Sequence, residues 1–175
     1  KDATEYFRVA HVTLDNPGVQ VKSGMPVLSF DGTVGTVLRV AGDKVDVELT
    51  VDSGFGVDVV VERTGARGFV RGMGDRSRYA VRVEYMQRTD EVDVGDVLLT
   101  SGVGCRFPKG VPGARVNKVV RRDFGMYQSV EAEPTVDFSR LEEVLVVLSD
   151  SKDCEAKGGA ARRPRAAGAG AAQPG

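Results

Sequence analysis

From residue 45 to residue 51 the chain reads VDVELTV, with Val45, Val47, Leu49 and Val51 separated by single polar residues. A period of two sends alternate side chains to opposite faces, so the stretch predicts a half-buried strand. YAVRVEY at 79–85 alternates in the same way. Other β-rich runs at 6–14, 25–30, 33–40, 57–62, 66–71, 96–100, 115–121 and 126–133 predict further strands. Turn residues divide them: Asn16-Pro17-Gly18, Ser23-Gly24, Asp31-Gly32, Gly42-Asp43, Thr64-Gly65 and Asp123-Phe124-Gly125. The unbroken apolar run VLVVL at 144–148 predicts a closing strand buried on both faces. Residues 137–141 suit a single helical turn with Asp137 as its cap. About a dozen short strands at regular spacing, with no longer helical period, predict an all-β sandwich or barrel.

Composition sharpens this. Valine dominates the apolar residues and tryptophan is absent, which favours pleated surfaces over helices. From Ser151 the pattern stops. KGGAARRPRAAGAGAAQPG has almost nothing large and apolar to bury, so 151–175 is expected to be a disordered tail. Charge divides at the same place. The tail carries five basic and two acidic groups, leaving 19 basic and 23 acidic groups in residues 1–150. An acidic body argues against a general grip on nucleic acid. The sequence has no run of about 18 apolar residues and no signal-peptide pattern. It begins at Lys1 rather than methionine, so an upstream piece carrying an anchor is expected.

The most chemical-looking stretch is TSGVGCRFPKGVP, residues 100–112. No helix follows Ser101, so it is not a hydrolase elbow. Its glycines complete neither a dinucleotide fingerprint nor a P-loop, and Phe107-Pro108 blocks a helix start. His11, the single histidine, lies in a strand pattern and reads as a residue at the edge of a core. Cys105 and Cys154 have no partner at metal-ligand spacing and form no disulfide framework. No catalytic residue, metal or cofactor is expected. The rival reading is an RNA-binding β-barrel module. It rests on Arg63, Arg67, Arg71, Arg76, Arg78 and Arg82, with Phe69, Tyr79 and Tyr85 available for stacking. Glu62, Asp75 and Glu84 interrupt that series.

A series of short motifs runs through residues 16–148. It starts with Gly18-Val19, Gly24-Met25-Pro26-Val27 and Asp31-Gly32-x-Val34-Gly35-x-Val37. Arg63-x-Gly65-Ala66-Arg67-Gly68, Val94-Gly95-Asp96 and Thr100-Ser101-Gly102-x-Gly104 follow. Phe107-Pro108-x-Gly110-x-Pro112 and Leu141-Glu142-Glu143-Val144-Leu145-Val146-Val147 complete it. In this order the motifs resemble the extracytoplasmic region of the rod shape-determining protein MreC family. The glycine after Pro112 is displaced from the family pattern, residues 72–78 are more charged, and the Arg-rich tail has no counterpart.

The resemblance implies two small β-barrels of antiparallel strands on the periplasmic or extracytoplasmic face of the cytoplasmic membrane, held by an N-terminal anchor outside this sequence. It implies a non-catalytic scaffold of cell-wall elongation that binds a class B penicillin-binding transpeptidase, associates with MreD and self-associates, without a nucleic-acid partner. The first barrel is expected over 1–63, completed by 142–149, and the second over 64–134. Gly32, Gly35, Gly65, Gly68, Gly102, Gly104, Pro108 and Pro112 are read as structural turn residues. Phe55, Phe107, Phe124 and Tyr127, apolar residues beside turns, are read as partner-binding anchors.

Overall fold

A computed structural model describes residues 8–16 and 18–148. The expected tail at 151–175, including Cys154, lies outside the described residues. Eleven strands account for the regular structure, with two short 3-10 turns and no α-helix among the described residues. None of those residues forms a helix long and apolar enough to cross a membrane. The all-β expectation holds.

Five strands form one sheet in the order β1-β4-β3-β2-β11. They are β1 Val9–Thr13, β2 Pro26–Ser29, β3 Gly32–Ala41, β4 Lys44–Leu49 and β11 Leu145–Val146. The other six close into a barrel in the order β10-β7-β6-β5-β8-β9. These are β5 Gly56–Val61, β6 Arg67–Gly72, β7 Val81–Glu84, β8 Val97–Thr100, β9 Pro112–Val120 and β10 Ser129–Pro134. Every ladder is antiparallel, with register shifts in β2 and β3 of the sheet and in β8 and β10 of the barrel, where they bend the strands toward closure. The alternating valines behave as their period dictates. Val45, Val47, Val59, Val61, Val81 and Val83 are all buried.

Two expectations change. Residue 63 is not where the sheets divide. β5 pairs with β6 and β8, so it belongs to the closed barrel, and the chain passes from sheet to barrel between Leu49 and Gly56. A valine-rich strand can complete either curved surface, and only its partners decide which. The run at 144–148 is not buried on both faces. It contributes the two-residue β11 at the margin of the sheet, with Leu145 and Leu148 exposed. The 3-10 turn Phe138–Arg140 follows expectation, with the Asp137 carboxylate accepting the Ser139 backbone N–H at 3.0 Å. The hydroxyl and amide of Ser139 hold the Asp137 pKa down.

The passage from β4 to β5 is tied to the start of the described chain. Buried Asp52 accepts the backbone N–H groups of Arg8 and Gly54, each at 2.8 Å. Arg8 also donates to the Asp75 carbonyl at 2.7 Å and lies over the Tyr79 ring. Glu48 sits beside this joint. Burial, then the neighbouring Asp52, pushes its carboxyl up from the ordinary value. A raised folded pKa means that the charged form costs stability above that pKa, and the cost disappears as pH falls through it. Glu48→Gln is therefore expected to raise the melting temperature by a few degrees at neutral pH. The advantage should close on acidification. A constant offset from pH 7 down to pH 4 in thermal melts would contradict this origin.

Candidate protein-docking face

The four predicted anchors separate into two pairs. Phe55 and Phe107 are core residues, buried and packed edge to face with ring centroids 5.9 Å apart. Both rings are turned into the core, so neither presents a surface in this structure. Tyr127 and Phe124 do reach solvent, at 45% and 73% exposure, with Met126 beside them at 74%. Tyr127 stacks edge to face on Tyr85, with centroids 5.8 Å apart.

Tyr85 occupies this place through an unusual backbone. Continuing the alternation of Val81 and Val83 would carry its ring inward. Instead Tyr85 takes φ 62, and its side chain is 61% exposed while Met86 fills the interior. Among the described residues no other non-glycine residue has a positive φ. A bulky residue there is strained, and such strain persists only where the surrounding structure holds it.

The support is local and specific. Buried Gln128 donates its amide to the carbonyls of Gln87 and Asp90, both at 2.8 Å. Arg88 donates its backbone N–H to the Met126 carbonyl at 2.9 Å and its guanidinium to the Asp123 carbonyl at 2.7 Å. These bonds fasten the 121–128 loop to the segment after β7, so the exposed rings come as one set. Sequence reading missed Met126 and Gln128, and it placed Tyr85 only in the RNA alternative. Gln128→Ala is expected to cost about 1–3 kcal/mol, since two part-buried hydrogen bonds from its buried amide are lost. Chemical denaturation measures it, and a loss below about 0.5 kcal/mol would remove Gln128 from this role.

Beside Tyr85 lies a recess of about 460 Å³, walled by Arg67, Phe69, Gln87, Asp58 and Asp90. The Phe69 ring folds over Gly56 on the paired strand, where a Cβ would come within 2.5 Å of it. Arg71 covers that ring at 5.2 Å from its centroid.

The arginine series does not form a basic surface. Arg63 binds Asp96 and Asp93, at 2.9 and 3.0 Å. Arg71 and Arg82 share Glu84, whose pKa is lowered chiefly by Arg82 and then by Arg71. Arg78 joins Asp75 and Glu131. The amide and hydroxyl of Ser77, with Arg78, hold the Asp75 pKa at about 2. The Arg67 side chain, at the recess, has neither hydrogen bond nor ion pair among the described residues. A phosphate grip needs guanidinium groups not already held by carboxylates, so the geometry does not favour the RNA reading.

The turn residues also divide. Gly65, Gly102 and Gly104 adopt positive φ and turn the chain. Gly35 and Gly68 instead lie within β3 and β6. A Cβ at Gly35 would meet the Glu48 carbonyl oxygen at 1.8 Å, and one at Gly68 would meet Val83 at 2.6 Å. These two permit close approach rather than turning. In the 100–112 loop, Thr100 donates its hydroxyl to the Pro108 carbonyl at 2.5 Å and accepts the Val111 N–H at 2.9 Å. Pro112 opens β9, where a missing N–H is tolerated. His11 is exposed on β1, with Nδ1 2.7 Å from Asp46 Oδ1. Among the described residues no hydroxyl or thiol bonds to it.

Residues 11–148 match the family description "Rod shape-determining protein MreC, barrel core". The chain belongs to the MreC family. It is 34% identical over 137 residues to the cell shape-determining protein MreC of Escherichia coli, covering 78% of this chain and 37% of that protein. The chain therefore spans little more than a third of that curated relative. The crystal structure of MreC from Pseudomonas aeruginosa superposes with a TM-score of 0.76 at 31% identity, covering 83% of this chain and 92% of that one. A structure of a complex between a penicillin-binding protein (PBP2) and MreC from Helicobacter pylori shares the fold, with a TM-score of 0.55 at 18% identity. It covers 72% of this chain and 87% of that one.

Proposed function

We propose that this chain is the extracytoplasmic β region of a non-catalytic scaffold of cell-wall elongation, which maintains rod shape by binding and regulating a class B penicillin-binding transpeptidase. The observation that carries the reading is the exposed Tyr85–Phe124–Met126–Tyr127 cluster beside a recess on the closed barrel. Aromatic and methionine side chains held in place before binding lose little entropy on association, and hot spots concentrate in such groups. The Helicobacter pylori complex, in which a family member meets a penicillin-binding protein, supports the choice of partner.

The same reading gives the protein MreD as a second partner and an anchor upstream of Lys1. Self-association fits the sheet, since among the described residues no ladder joins its marginal strands β1 and β11. The non-catalytic role is supported by His11, which braces Asp46 across the β1–β4 ladder rather than a nucleophile.

A titration tests it. The chain is immobilised and exposed to the soluble ectodomain of the same organism's elongation transpeptidase, with single-stranded RNA compared at matched salt. Saturable binding of the ectodomain alone is expected. Salt-sensitive RNA binding without an ectodomain signal would overturn the proposal.

A further inference from the structure

The turn at Tyr85 changes the neighbouring strand. β6 pairs with β7 from Phe69 opposite Glu84 to Gly72 opposite Val81. Continued in that register, the ladder would set Arg67 opposite Met86. It stops because β7 gains a residue. Val83 stands opposite Val130 of β10, whereas Gln87 stands opposite Tyr127, one place out of step. The bulge falls at Tyr85, with its φ of 62. Beyond it the Met86 carbonyl accepts the Gln128 N–H at 3.0 Å, on the β10 side rather than the β6 side.

Arg67 thereby loses its main-chain partner. Along an antiparallel strand the amide groups of successive residues face opposite neighbours. The Ala66 carbonyl accepts the Val61 N–H at 2.8 Å, and the Gly72 N–H donates to the Phe55 carbonyl at 3.3 Å. Ala66, Gly68, Val70 and Gly72 thus face β5, and the N–H and C=O of Arg67 face the side that β7 leaves. No ladder or turn bond meets them there among the described residues.

The 460 Å³ recess lies over this stretch, between Gly65, Ala66 and Arg67 on one side and the Tyr85 ring on the other. A second recess of about 340 Å³ shares Gly65, Ala66 and Asp90 with it, so the two are continuous. Glycine and alanine leave room for another main chain to come close. The charges at the recess are unequal in commitment. The Asp90 carboxylate accepts the Gln87 N–H at 2.9 Å. Asp58 stands opposite Phe69, two places along β5 from the residue opposite Arg67, and the two charges do not pair. The Arg67 guanidinium therefore has a charge to satisfy beside an open strand edge.

Resting on the transpeptidase reading above, we propose that an extended segment of the transpeptidase adds to β6 at Arg67, with an acidic residue opposite it. Its main chain pairs with the Arg67 N–H and C=O, in the place that the β6–β7 register assigns to Met86. Cross-strand neighbours stand about 5 Å apart, which brings a carboxylate onto the guanidinium. Tyr85 belongs both to this recess and to the aromatic face, so a partner covering the rings reaches Arg67.

Amide hydrogen exchange of the whole 175-residue chain, followed residue by residue by NMR, tests this. In the free chain the Arg67 amide should exchange within about 10-fold of the unstructured rate, with Gly68 and Val70 protected by β5. Saturating transpeptidase ectodomain should slow the Arg67 amide at least about 100-fold. Arg67→Ala keeps the main chain and should weaken binding about 10-fold through the lost charge pair. Arg67→Pro also removes the N–H that β6 does not use, and proline is tolerated as the first residue of a strand. It should weaken binding further, to about 100-fold, at an unchanged melting temperature. The exchange measurement needs no variant, so it decides the matter if Arg67→Pro folds poorly. Ectodomain binding that leaves the Arg67 amide unprotected would overturn strand addition while the aromatic face keeps its role. Absence of any ectodomain binding would remove both. An Arg67 amide already protected in the dilute free chain would also overturn the proposal. Protection that grows on concentrating the chain alone would assign the edge to a second copy and reject the transpeptidase as its occupant.

Discussion

Gly32→Ala is expected to destabilise the protein by about 3–5 kcal/mol, adding a strained left-handed φ to an overpacking penalty. Gly32 has φ 137, and a Cβ built on it falls 2.2 Å from the Pro112 carbonyl oxygen and 2.5 Å from the Thr135 hydroxyl. The first is backbone at the start of β9, which cannot turn away as a long side chain would. Gly32 begins β3, so this contact is where the five-stranded sheet rests on the closed barrel. Gly65→Ala is the internal control. It also has a positive φ, 73, but nothing lies within 4 Å of the added carbon. Its cost should stay near 1–2 kcal/mol, about the price of the backbone conformation alone. Chemical denaturation of both variants separates the two contributions. Equal losses would mean that the sheet–barrel contact adds nothing.

Tyr85→Gly is expected to weaken transpeptidase binding at least about 30-fold, the loss of one hot-spot residue, while leaving the fold close to wild-type stability. Glycine accepts φ 62 without strain, and that relief offsets the removal of the ring's packing against Tyr127. Alanine would keep the strain and mix the two effects. Tyr127→Ser removes the other half of the edge-to-face pair and should reduce affinity in the same direction. Combined, the two losses should fall short of additivity, because each ring positions the other. Full affinity in a folded Tyr85→Gly, Tyr127→Ser variant would sink the assignment of this face and move the search to the sheet margins.

Much of the fold is legible along the chain. The period-two runs at 45–51 and 79–85, the Asp31-Gly32 turn and the Asp137 cap all stand where their residues place them. Each depends on neighbours within a few positions, and a side chain's own chemistry carries that information. The motif series from Gly18 to Val147 likewise pointed to the family that the comparison of residues 11–148 establishes.

The candidate site was far less legible. Phe55, Phe107, Phe124 and Tyr127 all stand near turns, yet two are core and two are exposed. Whether a ring is core or anchor depends on which strands cover it, and those strands are distant in the chain. Tyr85 defeats periodicity outright, because one left-handed residue turns a ring from the interior to the surface. The arginine series looked basic until the fold brought Glu84, Asp93, Asp96 and Glu131 against it.

Alternation, turn chemistry and capping by themselves determined an all-β chain of short strands and the places where it reverses. Only the tertiary structure decided that β5 joins the closed barrel, that Gly32 must lack a side chain because Pro112 lies against it, and that Tyr85 faces out. A hydrophobic period says which side of a strand is buried. It does not say what buries it, because non-local contacts select among many strands of equal local preference.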